Sequence, residues 1–184
     1  MSAGNNNSAA DVLAFWRAAG PGKWFNKDAS FDAEIASRFS ALWRDAASAA
    51  FTSWEETPES ALALVIVLDQ FPRNMFRGNG DAFATDALAR GVAERAIERG
   101  FDQKVPASER LFFYLPFEHS ENLADQERAI ALVGTLGNPE LTRWSELHAD
   151  VIRRFGRFPH RNSALGRAST REEQAFLDAG GFAG

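Results

Sequence analysis

The chain contains no cysteine among its 184 residues. Disulfides, zinc–thiolate sites, iron–sulfur clusters and thiol nucleophiles are therefore excluded, which leaves oxygen and imidazole groups to carry any reactive chemistry. Long apolar runs are also lacking, because the most apolar segment, ALALVIVL at 61–68, is far shorter than a membrane-spanning helix. The opening residues MSAGNNNSAA have neither the basic nor the apolar region of a secretory signal. We therefore expect a cytoplasmic protein that has no membrane partner.

Three common signatures of catalytic or nucleotide-binding sites are missing too. The sequence has no P-loop, no Gly-x-Gly-x-x-Gly after a strand and no Gly-x-Ser-x-Gly elbow. Positive charge is also in the minority, with 25 acidic residues against 20 Lys plus Arg and a net charge of −5. This balance argues against a general nucleic-acid-binding protein, which must neutralise many phosphates.

The chain is rich in side chains that can form a core. Hydrophobic residues make up 45% of it, and they include 16 Phe and 5 Trp against a single Tyr. Apolar residues recur at helical spacing, and the alternation typical of strands is nearly absent. We therefore predict a flexible leader at residues 1–10 and a single all-α domain at residues 11–184.

Capping and helix-breaking residues place the first helices. The segment DVLAFWRAA ends at the Gly-Pro-Gly of residues 20–22, and Asp28 or Ser30 caps a longer helix after it. The pair Thr57–Pro58 opens a central helix that is apolar nearly all round. Pro72 is predicted to kink or end that helix.

Similar signals place the helices of the second half. Asp81 is predicted to open a helix that ends at Gly100, and Gly91 within it suggests a close helix crossing. Another helix is predicted to break at Pro116, and the last one begins with the capping-box pair Ser169–Glu172. About eight helices with short links favour an α-solenoid or an irregular bundle.

The stretch Phe-Glu-His-Ser-Glu at 117–121 places two carboxylates around an imidazole and a hydroxyl. As a helix start, it needs no further explanation, because Ser120 or Asn122 caps the next helix and acidic residues favour its first turns. As a site, it would be a carboxylate–imidazole cluster that binds a divalent metal or acts as acid and base. The members of that cluster would be Glu118, His119, Glu121 and Asp125. The spacing matches no metalloenzyme signature, so the structural interpretation is favoured.

The segment RRFGRFPHRNSALGR at 153–167 holds five arginines and no acidic residue. Because guanidinium groups suit carboxylate and phosphate, these residues would line an anion pocket, with His160 as a titratable neighbour. Alternatively, the arginines pair with the acidic residues of 118–127 and fix how the C-terminal loop docks. We favour such pairing, with one or two arginines left to meet a ligand.

Two further polar positions have simple structural interpretations. Asp69, at the end of the apolar central helix, needs a partner, for which Arg73 or Arg161 is the simplest choice. His148 shares a helical face with Trp144 and other apolar residues, which predicts a hydrogen-bonded core histidine.

Three blocks of this sequence resemble a bacterial family catalogued as domain of unknown function 924. The blocks are LDQFPRNMFRGNGDAFATDALAR, LFFYLPFEHSENLADQE and HADVIRRFGRFPHRNSALGRAST, and the resemblance extends from about Val12 to Phe176. It implies a tetratricopeptide-like α-α superhelix of irregular antiparallel helix pairs, without the regular repeat of a true tetratricopeptide protein. It implies no established activity. The polar residues that it carries over are Asp69, Gln70, Arg73 and Asn74; Glu118, His119, Ser120 and Glu121; and Arg157, His160, Arg161 and Asn162.

These observations predict a binding or interaction protein in which loops between helices form a polar Arg/His/Glu pocket. Its partner would be a small anionic ligand or a protein. The alternative is a metal-assisted or acid–base hydrolase of a small anionic substrate. The base would be His119 or His160, the acid or metal ligand Glu118 or Glu121, and the anion clamp Arg73 or Arg161. The predicted catalytic residues are therefore Glu118, His119 and His160, and the predicted ligand-binding residues are Asp69, Arg73, Asn74, Glu121, Arg157, Arg161 and Asn162. The sequence identifies no cofactor, metal or oligomeric state.

Overall fold

The computed structural model describes residues 7–182, and over this range it contains helices and turns without a β-strand. The predicted all-α class is therefore confirmed. Residues 1–6 of the predicted leader lie outside the described residues. The first helix begins before the predicted position, because Ser8 forms a capping box with Asp11 and residues 9 and 10 are already helical.

Ten α-helices occur in the described part of the chain. They are α1 (Ala9–Ala19), α2 (Pro21–Trp24), α3 (Ala29–Ala47), α4 (Pro58–Val65), α5 (Phe71–Met75), α6 (Asp86–Glu98), α7 (Leu111–Glu118), α8 (Leu123–Gly134), α9 (Pro139–Phe155) and α10 (Arg171–Asp178). A π-helical turn, Ile66–Gln70, joins α4 to α5. The number exceeds the predicted eight or so because α2 is a single turn and the central apolar helix is divided by the π turn.

The described residues divide into two compact units. Residues 7–77 and 81–113 form the first, which we call unit 1, and residues 78–80 and 114–182 form unit 2. The single domain over 11–184 and the tetratricopeptide-like superhelix stay predictions.

Unit 1 has an aromatic core. Helix α3 packs on α5, and α4 packs on both α1 and α6. Phe15 of α1 stacks on Phe31 of α3 with ring centroids 5.4 Å apart, and Phe39 lies 4.8 Å from Phe71 of α5. Burial of these large rings is the main driving force for packing α1, α3 and α5 together. The predicted caps Asp28 and Thr57–Pro58 are confirmed at the starts of α3 and α4.

Pro72 was predicted to kink or end the central helix, and it does not end it. The chain passes through the π turn, in which the amide of Phe71 bonds the carbonyl of Ile66, and α5 continues to Met75. Because Pro72 has no N–H, the Leu68 carbonyl loses its usual helical donor. The hydroxyl of Thr85 donates to that carbonyl over 2.5 Å instead.

Two other helix predictions are wrong in position, and a third, the helix crossing at Gly91, is also wrong. Asp81 lies in a 3₁₀ turn, and α6 begins at Asp86. Pro116 lies inside α7 rather than at its end, since α7 extends to Glu118. Gly91 marks no close helix crossing, because a Cβ there would meet only the guanidinium of Arg95. The predicted stop at Gly100 is confirmed by its left-handed φ of 66° just after α6.

Unit 2 is built on α8 packed against α9, followed by α10 and a short C-terminal segment. Its apolar cluster centres on Val151, Ile152 and the fully buried Phe158, with further phenylalanines packed around them. The predicted capping box is displaced by one residue. Thr170, rather than Ser169, caps α10 and exchanges hydrogen bonds with Glu173.

Among the helices that the structure describes, none is both long enough and apolar enough to cross a membrane.

Candidate functional site

The π turn of unit 1 directs Asp69 and Gln70 into the protein interior. Asp69 is 0% exposed, and its Oδ2 accepts a hydrogen bond of 2.6 Å from Gln70 Nε2. Arg73, one turn further on, donates to the Asp69 carbonyl over 2.8 Å and lies 3.4 Å from Asp69 Oδ1. The predicted buried pair of Asp69 with Arg73 is therefore confirmed.

Arg73 also binds a second carboxylate. Its two terminal nitrogens donate to Asp86 of α6 over 2.8 and 3.0 Å, in a fork-like pair. Burial alone would lower the pKa of Arg73, but the carboxylates of Asp69 and Asp86 outweigh it and raise that pKa. Arg73 therefore remains charged and joins the π turn, α5 and α6.

The remaining predicted residue of this block, Asn74, is also bonded within unit 1. Its amide donates to Asp32 of α3 over 2.7 Å, and Asp32 receives Arg77 over 2.5 and 3.0 Å as well. The contacts recorded within unit 1 thus give Arg73 and Asn74 structural partners and link α5 to α3 and α6.

In unit 2, Glu118 at the end of α7 receives two side chains of α9. Ser145 donates a short hydrogen bond to Glu118 Oε2, and His148 Nδ1 lies 3.3 Å from Glu118 Oε1. Ser145 and His148 are three residues apart and so share one face of α9. Glu118 is only 5% exposed and Ser145 is 0% exposed, so this contact is an internal one.

The proton positions on His148 follow from its partners. Nδ1 lies 2.8 Å from the carbonyl of Trp144, which can only accept, so Nδ1 carries the hydrogen and Nε2 keeps a lone pair. Burial lowers the pKa of His148 below its ordinary value, and the Glu118 carboxylate offsets only part of that effect. The imidazole is therefore neutral at neutral pH. The arrangement is not a Ser-His-acid triad, because the Ser145 hydroxyl bonds the carboxylate and not the imidazole.

All three histidines of the chain lie in this part of unit 2. His119 directly follows Glu118 and makes a smaller electrostatic contribution that lowers the pKa of His148. The rings of His148 and His160 lie 5.8 and 5.6 Å from the ring of Phe158. We call the group formed by Glu118, His119, Ser145, His148 and His160 the histidine centre.

Arg161 lies beside the histidine centre. It is only 6% exposed, and its guanidinium carbon lies 4.4 Å from the centroid of the Phe158 ring, in the range of a cation–π contact. Its charge also contributes to lowering the pKa values of both His148 and Glu121. Arg161 is therefore the buried cation of this region.

Glu121, predicted as a ligand-binding residue, holds the loop after α9. Its Oε1 accepts the amide of Phe158 over 2.8 Å, and its two oxygens bind Arg167 over 2.7 and 2.9 Å. Burial would raise the pKa of Glu121, but Arg167 and the Phe158 amide outweigh it and lower that pKa. These contacts agree with the structural alternative for the arginine-rich segment.

A second buried carboxylate, Glu173 of α10, accepts hydrogen bonds from two more predicted residues, Arg157 and Asn162. Arg157 donates to it over 2.6 and 2.8 Å, Asn162 over 3.3 Å and the Thr170 amide over 2.7 Å. Mainly through Arg157, the pKa of Glu173 is lowered to about 2. We call Glu173, Arg157, Asn162 and Thr170 the Glu173 network, and it ties α10 to the loop after α9.

The rest of the 117–121 stretch is also explained by local structure. Asn122 caps α8 by accepting from the Ala124 amide, and Ser120 donates to Asp125 over 2.6 Å. The fully buried Gln126 donates to the carbonyls of both Glu118 and Ser120. The predicted helix cap at Asn122 is confirmed.

Two principal partners of the site residues, Ser145 and Glu173, were not predicted. Arg167 belongs to the arginine-rich segment whose pairing with the acidic residues of 118–127 was favoured, and its pair with Glu121 agrees with that prediction. His148 is hydrogen-bonded as predicted, but its contact with Glu118 was not foreseen. A usable signal was present in α9, where Ser145 and His148 are the polar positions on an otherwise apolar helix face.

A metal-binding role has no ligand set in the described residues. Over residues 7–182, no three His, Asp or Glu side chains are grouped so that they could hold an ion. Of the predicted metal ligands, Glu118 contacts Ser145 and His148 instead. Glu121 pairs with Arg167.

Unit 1 also has an open groove of about 440 Å³ that is lined by Phe15 and Phe31, with Lys23 and Arg38 among its charged residues. Its acidic groups have partners within the chain. Asp11 belongs to the capping box of α1, and Glu34 pairs with Arg38 on α3. We assign no site to this groove.

Residues 12–181 match a family described as bacterial protein of unknown function, DUF924. The chain belongs to this family. It is similar to the solved structure of a protein of unknown function, ATU0120 from Agrobacterium tumefaciens, with 50% sequence identity and a TM-score of 0.90. That similarity covers 93% of this chain and 97% of ATU0120. No curated protein is significantly similar to this chain.

The resemblance that the three polar blocks indicated is thus confirmed. Neither the DUF924 description nor the name of ATU0120 states an activity.

The first testable consequence concerns the titration of His148 in this DUF924 protein. We expect its pKa, measured by NMR of the imidazole Cε1–H signal, to lie below that of an ordinary histidine. Glu118→Gln should lower it further, because the carboxylate favours the protonated ring. Glu121→Gln is a matched control that should leave it unchanged, since Glu121 makes its contacts with Arg167 and Phe158. A rise in the pKa of His148 in Glu118→Gln would contradict the described contact.

Proposed function

We propose that this chain binds a small anionic ligand at the histidine centre. The observation that carries the proposal is the surroundings of His148: it contacts Glu118, lies within electrostatic reach of His119 and the buried Arg161, and shares the Phe158 ring with His160. These residues are separated by up to about 40 positions in the sequence, so their grouping results from the fold. Histidines that serve only as surface residues have no reason to gather in this way, and perturbed titratable groups concentrate at functional sites.

The ligand is expected to be an anion because of the charges that surround the centre. Arg157 and Arg167 are committed to Glu173 and Glu121, which supports the view that these arginines are structural. Arg161 adds a positive charge that is buried beside the centre, where electrostatic interactions are stronger than in water. A guanidinium group of this kind suits carboxylate or phosphate oxygens.

Acid–base catalysis at the same centre is a second candidate, favoured by the contact of Glu118 with His148. Glu118 and the Trp144 carbonyl hold the imidazole by Nδ1, which leaves Nε2 as the basic nitrogen. A neutral imidazole oriented by a carboxylate is the usual form of a general base that activates water or removes a proton. In this chain His148 has that arrangement, whereas the predicted bases were His119 and His160.

A thermal-shift screen of the purified protein against phosphorylated metabolites and small carboxylates tests the proposal. A ligand present at about 100 times its dissociation constant adds about 2.7 kcal/mol to the stability of the protein. For a chain of this size, that corresponds to a rise in Tm of about 5–10 °C. Arg161→Ala should abolish the rise, and Arg161→Lys, which keeps the charge but not the planar fork, should reduce it.

The matched control is Arg153→Ala, because Arg153 makes only an exposed pair with Asp150 on α9. It should keep the ligand-induced rise in full. Glu118→Gln separates the two candidate functions, since it should retain anion binding but lose any turnover that depends on His148. A wild-type protein that is stabilised by no anion would contradict the proposal and favour a protein partner.

A further inference from the structure

The C-terminal segment inserts an aromatic ring into the histidine centre. After α10, the ring of Phe182 lies 4.3 Å from the ring of His148 and 5.4 Å from the ring of His160, in edge-to-face geometry with both. It also lies 6.2 Å from the ring of Phe158. One phenylalanine side chain therefore occupies the space that the two imidazoles share.

Two glycines give the chain the path that brings Phe182 to this place. Gly180 has a φ of 75° and donates to the Leu177 carbonyl, while Gly181 donates to the carbonyl of Phe176. These two hydrogen bonds form the Schellman motif that ends a helix and redirects the chain. A Cβ at Gly181 would lie 2.5 Å from the ring of Phe176, so a larger residue there would displace the segment.

The way in which Phe182 is held differs from that of the core rings around it. Phe158 is fully buried, whereas Phe182 is only partly buried and packs against the edge of the cluster. When a partly buried ring moves into water, it loses less burial free energy than a ring enclosed by the core, because less of its apolar surface becomes exposed. Phe182 can therefore leave without dismantling the cluster formed by Val151, Ile152 and Phe158.

We propose that Phe182 is a displaceable occupant of an aromatic subsite, formed by His148, His160 and Phe158, and that the anion bound there carries a planar ring. This inference rests on the proposed function and names the class of its ligand, which is an aromatic carboxylate or an anion of similar shape. The ring of the ligand replaces the ring of Phe182 between the imidazoles. Its negative group lies near Arg161, which stacks on the same Phe158 ring.

The inference predicts competition between Phe182 and the ligand. A segment that covers the subsite about 90% of the time weakens the apparent affinity about tenfold, because only the uncovered fraction binds. Removal of the ring by Phe182→Ala should therefore raise the apparent affinity for an aromatic anion about tenfold. A small anion without a ring does not need the subsite, so its affinity should not change.

The test uses titration calorimetry with benzoate, cyclohexanecarboxylate and acetate as probes. Benzoate should bind the wild-type protein more tightly than the two non-aromatic carboxylates do, and should bind Phe182→Ala about tenfold more tightly again. Gly181→Ala, which keeps the ring but displaces the segment, should act in the same direction. Leu177→Ala, on α10 but outside the ring contacts of Phe182, is the control and should leave the affinity unchanged.

The three histidine signals provide an independent readout. Removal of Phe182 should shift the NMR signals of His148 and His160, because both rings lose an adjacent aromatic ring. Benzoate added to the wild-type protein should shift the same two signals. Perturbation of neither signal would contradict the inference even if benzoate binds.

The outcomes separate this inference from the proposed function. If carboxylates bind with equal affinity to the wild-type protein and to Phe182→Ala, and without preference for a ring, the inference is wrong and the proposed function stands. If no probe or other anion binds either protein, both are wrong. Tighter binding of benzoate, alone among the probes, to Phe182→Ala supports both.

Discussion

Glu173→Gln is expected to destabilise the protein by about 3 kcal/mol, because it removes the negative charge from a buried ion pair. The carboxylate of Glu173 is only 3% exposed, and Arg157 donates two hydrogen bonds to it. The substituted amide would place an NH₂ group against donors of Arg157 and Asn162, where an acceptor is needed. Measured by thermal unfolding at neutral pH, the loss corresponds to a fall in Tm of about 6–12 °C.

The pH dependence of stability gives the same prediction another readout. The pKa of Glu173 is lowered from 4.5 to about 2 in the folded protein, mainly by Arg157, so the folded state binds a proton less readily than the unfolded state. The contribution of Glu173 is therefore complete above about pH 5 and is lost as the pH falls towards about 2. In Glu173→Gln this part of the acid destabilisation should be absent, so the Tm values of variant and wild type should converge as the pH falls.

Glu172→Gln is the matched control for Glu173→Gln. The neighbouring carboxylate of Glu172 pairs with Arg154 over 3.1 Å, but its side chain is 65% exposed. Exposed pairs contribute at most about 1 kcal/mol, so this variant should unfold nearly as the wild type does. Equal effects of the two substitutions would show that Glu173 is not the centre of the network described for it.

The elements whose signals are local in sequence could be predicted. Asp28 and Thr57 cap α3 and α4 as predicted, because a cap depends on the residues within one turn of it. Where two equivalent local signals compete, the sequence cannot choose: Ser169–Glu172 and Thr170–Glu173 have the same spacing. Tertiary contacts decide between them, since Glu173 also pairs with Arg157 of the preceding loop.

Features that depend on tertiary packing were missed for a physical reason. Pro72 was expected to kink or end the helix because it removes a backbone donor. The helix does not end there, since Thr85, 13 residues further along the chain, supplies a hydroxyl to the carbonyl left behind. In the same way, Glu118 and His148 are 30 positions apart, and only the packing of the helices brings them together. A pair within one helical turn, such as Asp69 with Arg73, can be predicted from the sequence, whereas a specific pair between distant segments cannot.

Arg73→Ala should be the most destabilising substitution in the polar part of unit 1, with an expected loss of roughly 3–5 kcal/mol. Its guanidinium pairs with both Asp86 and the fully buried Asp69. Its removal therefore takes the Arg73 cation away from two carboxylates at once. Arg73→Lys should recover only part of the loss, because one ammonium cannot reproduce the fork of two hydrogen bonds to Asp86. Arg77→Ala is the control, since its pair with Asp32 is more exposed and should contribute about 1 kcal/mol. If chemical denaturation gave equal losses for Arg73→Ala and Arg77→Ala, the buried pair would not be the contact that joins the π turn to α6.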